Sequence, residues 1–189
     1  MARKTTIPPV PRRGSRPFAN WLPAAALLLG SWAPLPNQAP TVQDIQVAGR
    51  VLHFQEPPFS GEIVVAIVYD QLLPQSLAEA RALAGLLGAG LTVGTLTLQP
   101  RLVEQKQLAG PGDFGAIFET VGVSDQLLSA GMRSHRVLCL TRHLDQVEHG
   151  ACVVAICSEP QVAIVVNEIN ASAFGLRFAT VFRMMVQEI

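Results

Sequence analysis

Apolar and polar positions follow two rhythms along this chain. In residues 44–54 the apolar side chains Ile45, Val47, Val51, Leu52 and Phe54 recur at roughly helical spacing, and Pro57-Pro58 stop the segment. Residues 62–69 (EIVVAIVY) form an unbroken β-branched run, as expected of a strand covered on both faces. Residues 74–87 return to helical spacing, with Ser76 as expected N-cap, Glu79 completing a capping box and Gly88 as the stop. Residues 91–98 (LTVGTLTL) read as one strand. Residues 99–112 are polar, contain Gly110-Pro111-Gly112, and read as a loop.

The second half repeats the alternation. Residues 114–119 predict a short strand. Residues 124–130 predict a short helix opened by Ser124 and closed by Gly131, and residues 136–141 (RVLCLT) predict a strand. Residues 150–158 and 161–166 predict a hairpin across the Ser158–Pro160 turn. Residues 170–187 predict one amphipathic helix that buries Phe174, Phe178, Val181, Phe182 and Met185, with Met184-Met185 on its core face. This order predicts an α/β fold: a three-layer sandwich with a mostly parallel sheet, a C-terminal β-hairpin and a closing helix.

Composition sharpens this picture. Hydrophobic residues make up 49% of the chain and charged residues 15%, which excludes a disordered chain. Net charge is zero, but five basic residues (Arg3, Lys4, Arg12, Arg13, Arg16) and no acidic ones lie in residues 1–40. The rest carries 9 basic against 14 acidic residues, a net of −5, which argues against a nucleic-acid partner. The basic start runs into the short apolar stretch 21–30, with Leu27–Leu29 at its centre, the pattern of an export signal. Residues 1–42 are therefore expected to be leader and linker, and residues 43–189 the folded domain. That predicts export of the mature protein.

Candidate chemistry is sparse. Cys139, Cys152 and Cys157 all sit in apolar segments. They read either as one disulfide with a remaining thiol or as three small buried hydrophobes. If a bond forms, Cys139 and Cys152 on neighbouring strands are the pair. Cys152 and Cys157, five apart on one strand, point to opposite faces. His135, His143 and His149 lie near Asp145 and Glu148, where a His–carboxylate pair would serve proton transfer. Residues 142–149 (RHLDQVEH) are nevertheless expected to be a solvated loop or surface helix. Gly88, Gly90 and Gly94 follow a helix and open a strand, the reverse of a dinucleotide fingerprint. No catalytic, metal or cofactor motif is recognised. Ligand binding at the strand ends, beside Asp70-Gln71 and Thr120-Val121-Gly122, stays open.

Several short motifs resemble the YfiR family of periplasmic proteins. Asn167 is followed eight residues later by Gly175-Leu176, and Gly150 stands before the hairpin. Phe54-Gln55-Glu56-Pro57 and the strand 63–70 resemble elements further upstream in that family, and 136–141 resembles its threonine-ended strand. The tryptophan before the proline and one glycine of a pair are missing here. The resemblance implies an exported, non-enzymatic regulator without cofactor. Its partner would be the periplasmic domain of an inner-membrane signalling protein of diguanylate cyclase type, which it represses. It also implies structural roles for Gly150, Asn167, Gly175 and Leu176: Asn167 caps the last helix, and Gly175 permits close helix–sheet approach. A homodimer is left open. The alternative reading is a periplasmic solute-binding component of an uptake system.

Overall fold

The computed structural model describes residues 39–189, which lie in one compact unit, Pro34–Ile189. The expected export signal, including Leu27–Leu29, lies outside the described residues.

Helix α1 (Val42–His53) opens on a capping box: Asp44 N–H donates to the Thr41 hydroxyl, and Thr41 N–H donates to the Asp44 carboxylate. Its Ile45, Ala48, Val51 and Leu52 are buried. Strand β1 (Gly61–Tyr69) is followed by α2 (Pro74–Leu87), which matches its expected bounds. The N-cap of α2 is Leu73, however, with Pro74 in the first turn. Ser76 and Glu79 form no capping box, because both side chains are drawn to the end of the sheet. The expected strand at 91–98 is instead a tight hairpin, β2 (Leu91–Val93) and β3 (Leu96–Glu104), turning at Gly94 with φ 62°. Much of the expected loop 99–112 therefore belongs to β3, which pairs along the whole length of β1. A single 3₁₀ turn, Gln105–Gln107, follows it.

Strand β4 (Ala116–Glu119), α3 (Asp125–His135), β5 (Leu138–Thr141), α4 (Leu144–Glu148), β6 (Val154–Cys157) and β7 (Ala163–Val166) continue the alternation. The eight-stranded sheet has the order β2-β3-β1-β4-β5-β6-β7-β8, with β8 at Gln187–Glu188. Strands β3, β1, β4, β5 and β6 are parallel, and the expected hairpin is the antiparallel pair β6–β7. Connection β1–α2–β3 runs one way along the sheet, whereas β4–α3–β5 and β5–α4–β6 run the other. Right-handed crossovers then put α2 on one face and α3 and α4 on the other. Helices α1 and α2 pack Ile45, Leu52 and Leu87 over Val65, Leu98 and Phe118, leaving an apolar cavity of about 10 Å³, too small for more than one water. The three layers of the expected α/β sandwich are present.

Helix α3 runs past Gly131 because that glycine is buried against Leu108: a Cβ there would lie 2.3 Å from Leu108 Cγ. The helix ends at Arg136, which takes a left-handed φ of 54°. Gly131→Ala is therefore expected to destabilise the fold by about 1–3 kcal/mol through overpacking, although alanine is the better helix former. Urea denaturation checks this, and an unchanged midpoint would contradict the packing.

The expected closing helix 170–187 is not one helix. It is α5 (Glu168–Ala173), an extended stretch, α6 (Thr180–Arg183) and the edge strand β8. Gly175, at φ 70°, ends α5 in a Schellman turn, with Leu176 N–H bonded to Ala171 O and Gly175 N–H to Ser172 O. Leu176 and Ala171 are both buried, the hydrophobic contact such a turn favours. Residues 177–179 then bind the end of α1 instead of coiling. Glu56 N–H donates to Arg177 O, Ala179 N–H donates to Phe54 O, and Phe182 stacks on Phe54 at 5.3 Å. Phe178 and Phe182 are buried as expected, but Val181, Met184 and Met185 are not. The two methionines are 76% and 61% exposed, so they are surface residues and not core.

Candidate functional site

Four segments far apart in sequence meet at the carboxyl end of the parallel sheet. The connections of β1 and β4 leave in opposite directions there, so their ends flank the topological switch point, the usual place for a site in this architecture. Thr120, just past β4, donates its hydroxyl to Val68 O at 2.9 Å. Its oxygen lies 2.8 Å from Ser76 Oγ, which accepts the N–H of Asp70 at 2.9 Å. The hydroxyl chain ties α2 to the ends of β1 and β4. Glu79, one turn further along α2, reaches over the sheet to accept Val121 N–H at 2.9 Å.

The loop from β5 to α4 faces Glu79. His143 Nε2 lies 3.1 and 3.2 Å from its two carboxylate oxygens, and Arg142 lies 3.6 Å away. Arg142 also pairs with Asp44 at 3.0 Å, linking α1 to the same loop. Asp44 is buried and accepts the Ser158 hydroxyl at 2.5 Å, which anchors the β6–β7 turn. One polar network thus runs from Ser158 through Asp44, Arg142 and Glu79 to His143.

Glu119, the last residue of β4, is fully buried behind this network. Its Oε2 accepts the Thr141 hydroxyl, and its Oε1 has no hydrogen-bond partner. A buried carboxylate with one neutral donor is costly. Burial pushes Glu119 up to about 8, against the opposing pull of Thr141 and His143, so the group is an uncharged acid at neutral pH. Burial alone would lower His143, but the hydrogen bond and charge of Glu79, with help from Glu119 and Asp145, raise it above its ordinary value. Glu79 is likewise burdened by burial, yet His143, Val121 N–H and Arg142 together hold it below the usual carboxylate range.

The expectation that 142–149 is a solvated segment fails at its first two residues. Arg142 and His143 are held by partners from α1 and α2, and only the rest of the segment forms the short surface helix α4. The partner of His143 is Glu79, 64 residues away, and neither neighbouring acid. His135 hydrogen-bonds Leu108 O at 2.7 Å, and His149 caps α4, so the histidines do not assemble. Thr120, Val121 and Asp70, the strand-end residues singled out from sequence, do reach the cluster.

The disulfide joins Cys139 to Cys152, and Cys157 is an unpaired thiol. Cys139 lies in β5, while Cys152 sits two residues before β6 instead of within it. With the two cysteines 13 positions apart in sequence, replacing both by serine is expected to cost about 3 kcal/mol. A thermal melt of the double variant measures it, and a melt matching the parent would rule out a stabilising bond.

Asn167 stands at the N-cap of α5, its side chain accepting Asn170 N–H at 2.9 Å. Asn170, not anticipated from sequence, ties α5 to the start of β6 by donating to Gly150 O and Cys152 O. Gly150, at φ 82°, closes the turn after α4. Gly175 has nothing within 4 Å of a built Cβ, so its role is to end a helix and not to allow close approach to the sheet. Likewise Gly175-Leu176 finish α5 and do not begin a helix.

Fold and cluster together define a doubly wound α/β domain with a buried ionisable network at its switch point and an internal disulfide. No protein-family model matches the chain, and no curated protein matches it significantly. Among the described residues no helix is long and apolar enough to cross a membrane, and no group of side chains is arranged to hold a metal ion.

Proposed function

We propose that the chain is an exported regulatory protein without catalytic activity. It binds the periplasmic domain of an inner-membrane signalling enzyme of diguanylate cyclase type and holds that enzyme inactive. The observation that carries this reading is the apolar surface of the C-terminal segment. Ile169 is 79% exposed, and Val181, Met184, Met185 and Ile189, further along the same C-terminal segment, are exposed too. Arg183 pairs with both Glu168 and Glu188, which links α5, α6 and β8. Exposed apolar clusters rimmed by charge favour protein contact, and methionines suit a surface that must adapt to its partner. The disulfide is in keeping with an oxidising compartment.

The solute-binding reading is favoured by a different observation, the position of the Glu79–His143 network at the switch point. The two readings separate in a reconstituted assay. Purified protein added to membranes containing the cyclase lowers cyclic dinucleotide synthesis under the regulatory reading. Unchanged synthesis, with a small molecule co-purifying instead, supports solute binding.

A further inference from the structure

We infer that the cluster at the carboxyl end of the sheet is a pH-responsive latch, in which ionisation of buried Glu119 and loss of the His143 proton release the β5–α4 loop from α2. The latch lies within the domain and requires no partner.

The geometry sets the two states. In the closed state the loop cations Arg142 and His143 face Asp44 from α1, Glu79 from α2 and Asp145 from α4. The other groups packed around them, Thr141, Thr120 and Ser76, are hydroxyls. Asp70 is engaged with its own turn through Leu72 N–H. Among the described residues Glu119 lies inside this ring with no cation in contact and one oxygen unpartnered, so it fits there only as the neutral acid. Among the described residues, two cations then oppose three anions. Ionising Glu119 and discharging His143 leaves one of these cations, Arg142, against four anions. The new charge is buried, where repulsion is weakly screened. The contact with least to hold it is His143–Glu79, since a neutral imidazole no longer compensates the carboxylate beside it.

Breaking that contact frees two backbone groups. Val121 N–H loses Glu79 as acceptor, and His143 N–H, bonded to Thr141 Oγ1 at 3.1 Å, loses the anchored loop. Both report on the latch directly, while Ile67 at the centre of β1 reports on global unfolding.

Amide hydrogen exchange of the full, disulfide-bonded chain tests this, with intrinsic rates corrected for pH. In the parent protein, protection at Val121 and His143 should fall about tenfold between neutral pH and about pH 9.5 relative to Ile67. In Glu119→Gln, where His143 alone still titrates, the fall in relative protection should be clearly smaller than in the parent. Equal losses in parent and variant, or no loss in either, would overturn the latch. Carbon-13 titration of the Glu119 carboxyl in the parent is a second measurement that needs no variant. A midpoint near pH 8 agrees with the inference, and one in the ordinary carboxyl range defeats it.

Discussion

Replacing Glu119 by glutamine is expected to make the protein progressively more stable than the parent as pH rises from 4.5 to 7. The difference should grow by about 3 kcal/mol over that range. In the unfolded chain Glu119 gives up its proton near its ordinary value of 4.5, whereas the folded chain retains it to about 8. Between those values folding must take up a proton, so the parent loses stability with every step in pH; above about 8 the contribution levels off. Glutamine has no proton to take up. The new amide donors have a cost of their own, but it is the same at every pH and cancels from the slope. His143 acts in the same direction: its raised folded value lends stability below 6.5 that fades as pH rises through that folded value. Glu79 acts in the other: its lowered value lends stability above 4.5 that is lost as pH falls through its folded value. The cluster therefore favours a mildly acidic optimum. Urea denaturation of both proteins across this range is the check, and parallel stability curves would mean that Glu119 folds as an anion.

Asp44→Ala should be the most damaging substitution in the network, costing about 3–5 kcal/mol. One buried carboxylate caps α1, accepts the Ser158 hydroxyl and pairs with Arg142. Alanine removes all three and leaves Arg142, with 15% of its side chain exposed, without its best-placed anion. Asp44→Asn keeps hydrogen-bonding atoms at the cap and the turn while removing the charge, so its loss should be clearly smaller. Equal losses in the two variants would show that the charge carries the whole effect. A loss below about 1 kcal/mol for alanine would fit the cap alone.

The sequence speaks clearly where one rhythm fills one element. The β-branched run of β1, the helical period of α2 and the polar turn between β6 and β7 all appear as read. It misleads where tertiary contacts override local pattern. The glycine that ought to stop α3 is instead packed beneath Leu108, and Phe174, Phe178 and Phe182 have helical spacing, yet a Schellman turn parts Phe174 from the other two and Phe182 stacks on Phe54. The polar network was illegible for a different reason. Asp44, Glu79, Glu119 and Arg142 are individually ordinary, and only the strand order brings them together. A single signal pointed to it: Glu119 closes an otherwise apolar strand, so its charge must either reach the switch point or be given up. The disulfide was readable as a pair but not as a certainty, since buried thiols and a bond share one apolar context.

If the protein acts by contact through its C-terminal apolar surface, as proposed, cyclic dinucleotide levels in the cell depend on that surface. A strain lacking the gene is complemented with the parent chain or with a Met184→Glu, Met185→Glu double variant. Both methionines are exposed, so the variant should fold like the parent, as matched thermal melts would verify. Deletion should raise cyclic dinucleotide, the parent should restore the low level and the double variant should not. Full repression by the folded double variant, or no rise on deletion, would contradict it.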